Sequence, residues 1–425
     1  MRFLPAALLC VFAFAVSADD VCYVNGRWYD GKGFRARTMC ASNGIFTKKR
    51  VRGAREVDLA GAYVIPPFAE AHNHNVEGGG ERLEATIRGY LDKGVFYVKN
   101  PNNLPRTTPR DLVNKPTSID ATFAMGGLTG TDGHPVELVK RNVDRGAWTM
   151  ADGDGGFYFA VDSLADLDRK WPQLLVAKPD FVKTYLVYSE EYRERKNDPS
   201  KSGWKGLDPE VLPEIARRAH AAGLRVSTHV ETATDFHNAV MAGVDEINHL
   251  PGFRLEKYEL SMYDHGRFHI SDADAKLAAK RGITVVTTSG ALIQMASDAS
   301  KGDDVLRAVM RQTIIDNLQT LRRAGVKLAI GSDDYRNGVV PEVNALRTLG
   351  IFSNRELLDL WTRDTARAIF PNRKIGRLAS GYEASFLALA GDPIADFANT
   401  QRIKLRVKQG VELGAAAGAA AGVGH

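Results

Sequence analysis

The chain has 425 residues, 44 % of them hydrophobic and 25 % charged, which is the balance of a soluble globular protein with room for one large domain and an appendage, or for two domains. Its net charge of +5 comes from interspersed signs and excludes the basic surface of a nucleic-acid-binding protein. Beyond residue 18 no segment approaches the apolar length that spans a bilayer.

Residues 1–18 read as a signal peptide. Arg2 supplies a short positive start, residues 3–16 are apolar, and Val16-Ser17-Ala18 offers small residues for cleavage before Asp19-Asp20. The expected location is therefore periplasmic or secreted, with no membrane contact after processing. Cleavage removes Cys10 and leaves Cys22 and Cys40, placed on either side of a predicted hairpin turn at residues 30–33. An exported pair of this kind can form a disulfide; the alternative is two small buried side chains.

After the signal, residues 19–65 carry short β-like runs ("VCYVNGRWY", "ARTMCASNGIF", "REVDLAGAYVI") punctuated by Asn-Gly and Asp-Gly turns. Similar runs return at 384–392 and 403–413, so the two ends are expected to join in one small β domain (19–65 with 375–413). The glycine- and alanine-rich stretch 414–425 reads as a low-complexity tail.

Between the ends, residues 66–374 alternate apolar runs with amphipathic stretches. Eight runs suit buried strands: "YVIPPFAEAH", "GVFYVKN", "IDATFAMGG", "PDFVKTYLVY", "LRVSTHV", "VDEINHL", "ITVVTTSG" and "VKLAIGSDD". Several predicted helices, "ERLEATIRGYLDKG" and "RAVMRQTIIDNLQTLRRAG" among them, end in glycine just before the next strand, the usual helix C-terminal signal. Eight βα units predict an α/β fold, a (β/α)8 TIM barrel. The rival, an open doubly wound sheet, calls for a glycine fingerprint after its first strand, and "GGGE" at 78–81 does not supply one.

In such a barrel the chemistry sits at the C-terminal ends of the strands. Strand one ends in His72 and His74, an i, i+2 pair that faces one way on a strand. Strand four holds Lys183 in an apolar setting, which is costly unless the amine is paired or functional. Strands five and six end in His229 and His249, and strand eight ends in Asp333. A lone histidine at a strand end is more often a hydrogen-bonded core residue. Four of the ten histidines, a lysine and an aspartate at such ends form a set rich in the nitrogen and oxygen ligands of zinc and similar ions.

The combination of "PPFAEAHNHN", the strand-four lysine, the single histidines in "STHVETATDFHNAVMAGVDEINHLPG" and "GSDD" resembles the amidohydrolase superfamily of metal-dependent hydrolases, and within it the imidazolonepropionase and Xaa-Pro dipeptidase branch. The resemblance spans nearly the whole mature chain. It implies a barrel with a small β-sandwich domain formed from both termini. It also implies two divalent metal ions, zinc being the expected identity. His72, His74 and Asp333 would hold the more buried ion, and His229 and His249 the more exposed one. Lys183, N6-carboxylated by CO2, would bridge them. A metal-bridging hydroxide would then be the nucleophile, with Asp333 as general base and acid.

Further residues are weighed against that pattern. His134 in "TGTDGHP" and Tyr188 after strand four are candidate substrate contacts, Asp334 is a loop residue or a support behind the ligands, Glu70 is structural, and His220 and His237 fall on helix surfaces. Glu231 stands two residues past His229, where mononuclear deaminases of the superfamily place a glutamate three past; with Lys183 present, this favours a binuclear hydrolase. The expected activity is cleavage of an amide (C–N) bond in a small-molecule substrate such as a dipeptide, an N-acyl amino acid or a cyclic amide. A lactonase, esterase or phosphotriesterase could use the same metals, and a non-catalytic binding relative is the alternative from another class. Self-association into a homo-oligomer is left open.

Overall fold

The computed structural model describes residues 20–414 except 51, 258, 291, 292, 294–302, 336 and 337. The expected signal peptide, and the expected tail beyond Gly414, lie outside the described residues.

The first strands are β1 (Val21–Tyr29), β2 (Phe34–Ser42), β3 (Ile45–Thr47), β4 (Arg55–Asp58) and β5 (Tyr63–Ile65). Then come β6 (Phe68–Glu70), β7 (Val95–Asn100), β8 (Asp120–Phe123), β9 (Gly127–Thr129), β10 (Tyr158–Ala160), β11 (Val182–Tyr185), β12 (Val226–His229), β13 (Glu246–Asn248), β14 (Thr284–Val286) and β15 (Lys327–Ala329). The chain closes with β16 (Phe386–Leu389), β17 (Ile403–Lys408) and β18 (Val411–Leu413).

Both ends of the chain meet in one eight-stranded sheet, in the order β18-β17-β16-β5-β1-β2-β3 with β4 paired to β1. The strands expected to form a sandwich are thus joined edge to edge by hydrogen bonds. A register shift in β1 between Tyr23 and Gly26 interrupts the alternation, so that Tyr23 and Trp28, five residues apart, are both buried against Phe386 from the far end of the chain, with ring centroids 4.7 and 5.2 Å away. Cys22 lies directly opposite Cys40 across β1 and β2, and their sulfurs are bonded.

The other strands run parallel in two sheets, β6-β7-β8 and β10-β9-β11-β12-β13-β14-β15. The third of the eight expected barrel strands is broken at residues 124–126. Its first half, β8, pairs with β7; its second half, β9, pairs with β11 and with the additional strand β10. The seam between the last strand and the first is closed by Ala71 N–H donating to Ile330 O at 2.8 Å and Asp333 N–H donating to His72 O at 2.8 Å. Together these strands form the barrel expected from the sequence. The helices Ala233–Ala242, Asp272–Arg281 and Asp304–Ala324 end at Gly243, Gly282 and Gly325, each in the left-handed conformation that returns the chain to the next strand. No helix among the described residues is long and apolar enough to cross a membrane.

Barrel and terminal sheet are tied by buried charge. Asp120 at the start of β8 accepts from Lys408 Nζ of β17 at 2.7 Å and from Arg373 Nη2 at 2.8 Å. The disulfide closes an 18-residue separation within that sheet. Its reduction, or the double change Cys22→Ser with Cys40→Ser, is expected to lower unfolding stability by about 3 kcal/mol. Denaturant melts with and without reductant check this, and coincident curves would contradict it.

Candidate metal centre

β6 ends at Glu70, so His72 and His74 lie just past the strand and not on it, and alternation along a strand does not aim them. A polar clamp across the barrel seam does so. Glu70 is wholly buried and accepts from Ser332 N–H at 2.8 Å, from Ser332 Oγ at 2.9 Å and from His72 N–H at 3.3 Å. Burial pushes its carboxyl up to about 8, against the pull of these hydrogen bonds. Asn73 Nδ2 donates to Ser332 Oγ at 3.0 Å and to Asp334 O at 2.6 Å, gripping Asp333 from both sides. Asp333 itself has a left-handed backbone, φ 49°. A non-glycine residue held there costs on the order of 1 kcal/mol or more and persists only where its surroundings fix it. The seam is close enough that a Cβ on Gly331 would stand 2.6 Å from His72 Cβ, which accounts for the glycine of "GSDD".

The clamp makes three side chains converge. One ligand atom each from His72, His74 and Asp333 falls within a 4.8 Å cluster. His72 Nε2 and His74 Nε2 are 3.3 Å apart, and Asp333 Oδ1 is 3.7 Å from the first and 3.3 Å from the second. Burial, and then the charge of Lys183, hold the His72 imidazole well below its ordinary pKa, so it is neutral with a lone pair to give.

His249 and His229 stand beside this cluster, with ring centroids 4.7 Å from His72 to His249 and 4.5 Å from His249 to His229. Burial keeps both imidazoles neutral. His249 has φ 75°, and its Nδ1 is engaged by Thr288 Oγ1 at 2.8 Å, leaving Nε2 as the ring atom available to a ligand. Phe253 stacks on its other face at 3.8 Å. His229 Nε2 lies 2.9 Å from Glu231 Oε1, leaving Nδ1. Lys183, on β11, is 1 % exposed, and its ammonium donates to Asn248 Oδ1. Burial draws its pKa down to about 7, although Glu246 and Asp333 pull the other way.

The sequence carries an independent mark of origin. Residues 183–414, more than half of the chain, match the Amidohydrolase family. The chain belongs to the amidohydrolase family. It is similar to imidazolonepropionase of Pseudomonas putida, at 24 % identity over 373 residues covering 82 % of this chain and 84 % of that protein. Among solved structures it is similar to a Xaa-Pro dipeptidase with bound methionine, with a TM-score of 0.68 and 18 % identity over 92 % of this chain and 99 % of the other. It is also similar to A. niger ochratoxinase, with a TM-score of 0.69 and 16 % identity over 93 % and 96 % of the two chains. These structures share the barrel with its β-rich domain.

Amidohydrolases are hydrolases acting on carbon–nitrogen bonds, and the donor atoms of this site fit a divalent metal. Asp333 Oδ1 is buried and makes no hydrogen bond, although it lies 3.3 Å from His74 Nε2. An orphaned buried carboxylate oxygen beside two imidazole nitrogens is costly as a bare site and suits a cation. The donor set, two imidazoles and a carboxylate, fits zinc or a similar ion.

Other expected residues land differently. His134 does lie at this end of the barrel, its ring 4.9 Å from that of His229, and burial lowers its pKa. Tyr188, expected to contact substrate, is fully buried. Its hydroxyl accepts from Glu256 N–H at 3.1 Å and reaches Arg254 O at 3.3 Å, while Arg195 and Arg267 cover its ring. It braces the 254–256 segment and has no surface to offer a substrate. Asp334 contributes its carbonyl to the Asn73 clamp. His220 and His237 pair with Asp245 and Asp274 on helix surfaces.

The amidohydrolase site also contains buried charges that the strand-end pattern missed. Lys99 Nζ donates to Glu246 Oε1 at 2.6 Å, and Asn248 Nδ2 reaches the same oxygen at 3.0 Å. Lys99 sits in "GVFYVKN", an apolar run of the same kind as the one that drew attention to Lys183, and that signal was there to be read.

The clamp gives a direct expectation. Asn73→Ala removes both bonds that flank Asp333, and affinity for the first bound zinc should fall by about 10- to 100-fold, as changes behind metal ligands do. Chelator-competition titration of the apoprotein measures it; unchanged affinity would mean that Asp333 is held by the strands alone.

Proposed function

We propose that this protein is an exported two-metal amidohydrolase that cleaves the amide C–N bond of a small molecule such as a dipeptide, an N-acyl amino acid or a cyclic amide. The observation that carries this reading is the convergence of His72 Nε2, His74 Nε2 and the orphaned Asp333 Oδ1 beside His249, His229 and a buried Lys183. His72, His74 and Asp333 would hold one ion and His229 and His249 the other. When bound, the ions supply an acidified water as nucleophile and a Lewis acid for the scissile carbonyl.

The chain's own residues do the rest. Asp333 accepts a proton from the attacking water and delivers it to the leaving nitrogen, so no free amide anion has to depart. Lys183 supplies the anionic ligand. An ordinary lysine at pH 7 is neutral in roughly one molecule in a few thousand, whereas a pKa near 7 leaves about half neutral. The neutral amine adds to CO2 and releases one proton, becoming a carbamate that suits two adjacent cations. Phe253, stacked on His249, and the buried Tyr185, its ring 5.7 Å from that of His229, form the aromatic wall beside these histidines. His134, beside His229, would contact the substrate.

Similarity to an imidazolonepropionase and to a Xaa-Pro dipeptidase supports a C–N bond as the target. Export is supported by the signal-like residues 1–18 and by the Cys22–Cys40 bond, which belongs in an oxidising compartment. The test is a hydrolysis panel of dipeptides, N-acyl amino acids, hydantoins, lactones and phosphotriesters with zinc-loaded protein. The expected result is turnover of at least one amide, lost on chelation and restored by zinc. Turnover confined to lactones or phosphotriesters, or turnover indifferent to chelation, would overturn the reading.

A further inference from the structure

Glu231 has no place in the two-metal scheme, yet it is wholly buried next to a proposed ligand. Its surroundings form a closed ring of side chains. His229 Nε2 lies 2.9 Å from Glu231 Oε1. Arg254 donates its backbone N–H to Glu231 Oε2 at 2.7 Å, and its guanidinium forms an ion pair with the same carboxylate, Nε standing 3.4 Å from Oε1 without a hydrogen bond. The other end of the same guanidinium, Nη1, donates to Glu137 Oε1 at 2.7 Å, and that oxygen is also 2.5 Å from His134 Nδ1. His134 then returns to His229, ring against ring. One arginine thus joins two carboxylates, and each carboxylate fixes one imidazole.

The guanidinium is itself immobilised. Its Nη2 donates to Gly203 O, and its plane lies 4.2 Å over the Trp204 ring. A planar guanidinium anchored by Glu137 and Gly203 holds its charge at one place beside Glu231; a lysine ammonium carries the same charge without that geometry. Glu137 and Glu231 belong to different segments, one on the helix Val136–Asp144 and one past β12. Nη1 and Nη2 are taken by Glu137 and Gly203 and the charge is paired with Glu137 and Glu231, so Arg254 is not a free cation awaiting a substrate carboxylate.

We infer that Arg254 is a positioning residue. Through Glu231 it fixes the rotation of His229 and presents Nδ1 to the metal; through Glu137 it fixes His134 with Nε2 toward the substrate. The ring therefore sets the second metal ligand and the substrate-side histidine in one frame. This rests on the assignment of His229 to the metal centre.

Zinc titration of the apoprotein under chelator competition tests it, using Arg254→Lys, Arg254→Ala and His229→Ala. Arg254→Lys keeps the charge and is the variant expected to fold. It should bind the first zinc as the parent does and the second about 10- to 100-fold more weakly. Arg254→Ala should show the same selective loss, partly reversed by added guanidinium chloride at a concentration below that which unfolds the protein. The d–d absorption of the Co2+-loaded protein should change in Arg254→Lys, because a rotated imidazole alters the ligand field. Parent-like affinity for both ions and an unchanged Co2+ spectrum in Arg254→Lys would overturn the inference, since charge alone would then suffice. Failure of the underlying assignment is distinct: His229→Ala would keep parent affinity for both ions.

Discussion

The seam between β15 and β6 is the constraint on which the site depends. His72 and His74 stand near the start of the barrel and Asp333 at its end, and no local structure can bring them together. Glu70 and Asn73 on one side and Ser332 and Asp334 on the other do so with four hydrogen bonds across the seam, two to the carboxylate and two from the amide, and Glu70 also accepts from His72 N–H on its own side. Glu70 and Ser332 are 262 residues apart. The entropy of closing so long a loop grows only slowly with length, so a well-made seam can hold it. Breaking one partner would leave another buried polar group unsatisfied, which costs more than the bond itself contributes.

From that seam the strain and the chemistry follow together. Asp333, His249 and Thr288 are all non-glycine residues at positive φ, and all lie past the ends of barrel strands. Each is held by a named contact: Asp333 by the Asn73 grip around it, and His249 and Thr288 by the bond between their side chains. Behind them, Lys99, Glu246, Asn248 and Lys183 form a buried polar column in which Asn248 links the salt bridge to the reactive amine. The buried amine and the crowded neutral imidazoles leave Asp333 as the carboxylate within the ligand cluster. In the proposed two-metal site, carboxylation of Lys183 would replace that amine with an anionic ligand for the dications, so the two assignments stand or fall as one.

Much of this was legible in the sequence, and the reason is periodicity. Apolar runs bounded by glycines gave the barrel strands, and histidine, lysine and aspartate stood out because such residues are expensive inside them. Less was legible wherever geometry comes from contacts distant in sequence. The i, i+2 argument pointed His72 and His74 the same way, but they are aimed by a clamp past the strand's end. Arg254 and Glu137 are 117 residues apart, and neither stands in a run that marks it. Tyr188 looked like a pocket residue because it follows a strand, yet two arginines and two backbone groups consume it. The terminal strands were recognisable singly, but their joining into one sheet depends on β5 pairing with both β1 and β16.

The central claim is that the seam builds a two-metal site from His72, His74, Asp333, His229, His249 and Lys183. Anomalous diffraction at the zinc edge from crystals of the zinc-loaded protein tests it most directly. The account predicts two anomalous peaks, one within about 2.2 Å of ligand atoms of His72, His74 and Asp333 and one at the same range from His229 and His249. It also predicts extra density continuous with Lys183 Nζ between the peaks. A single peak away from these residues, or none in protein shown to retain zinc, would contradict it.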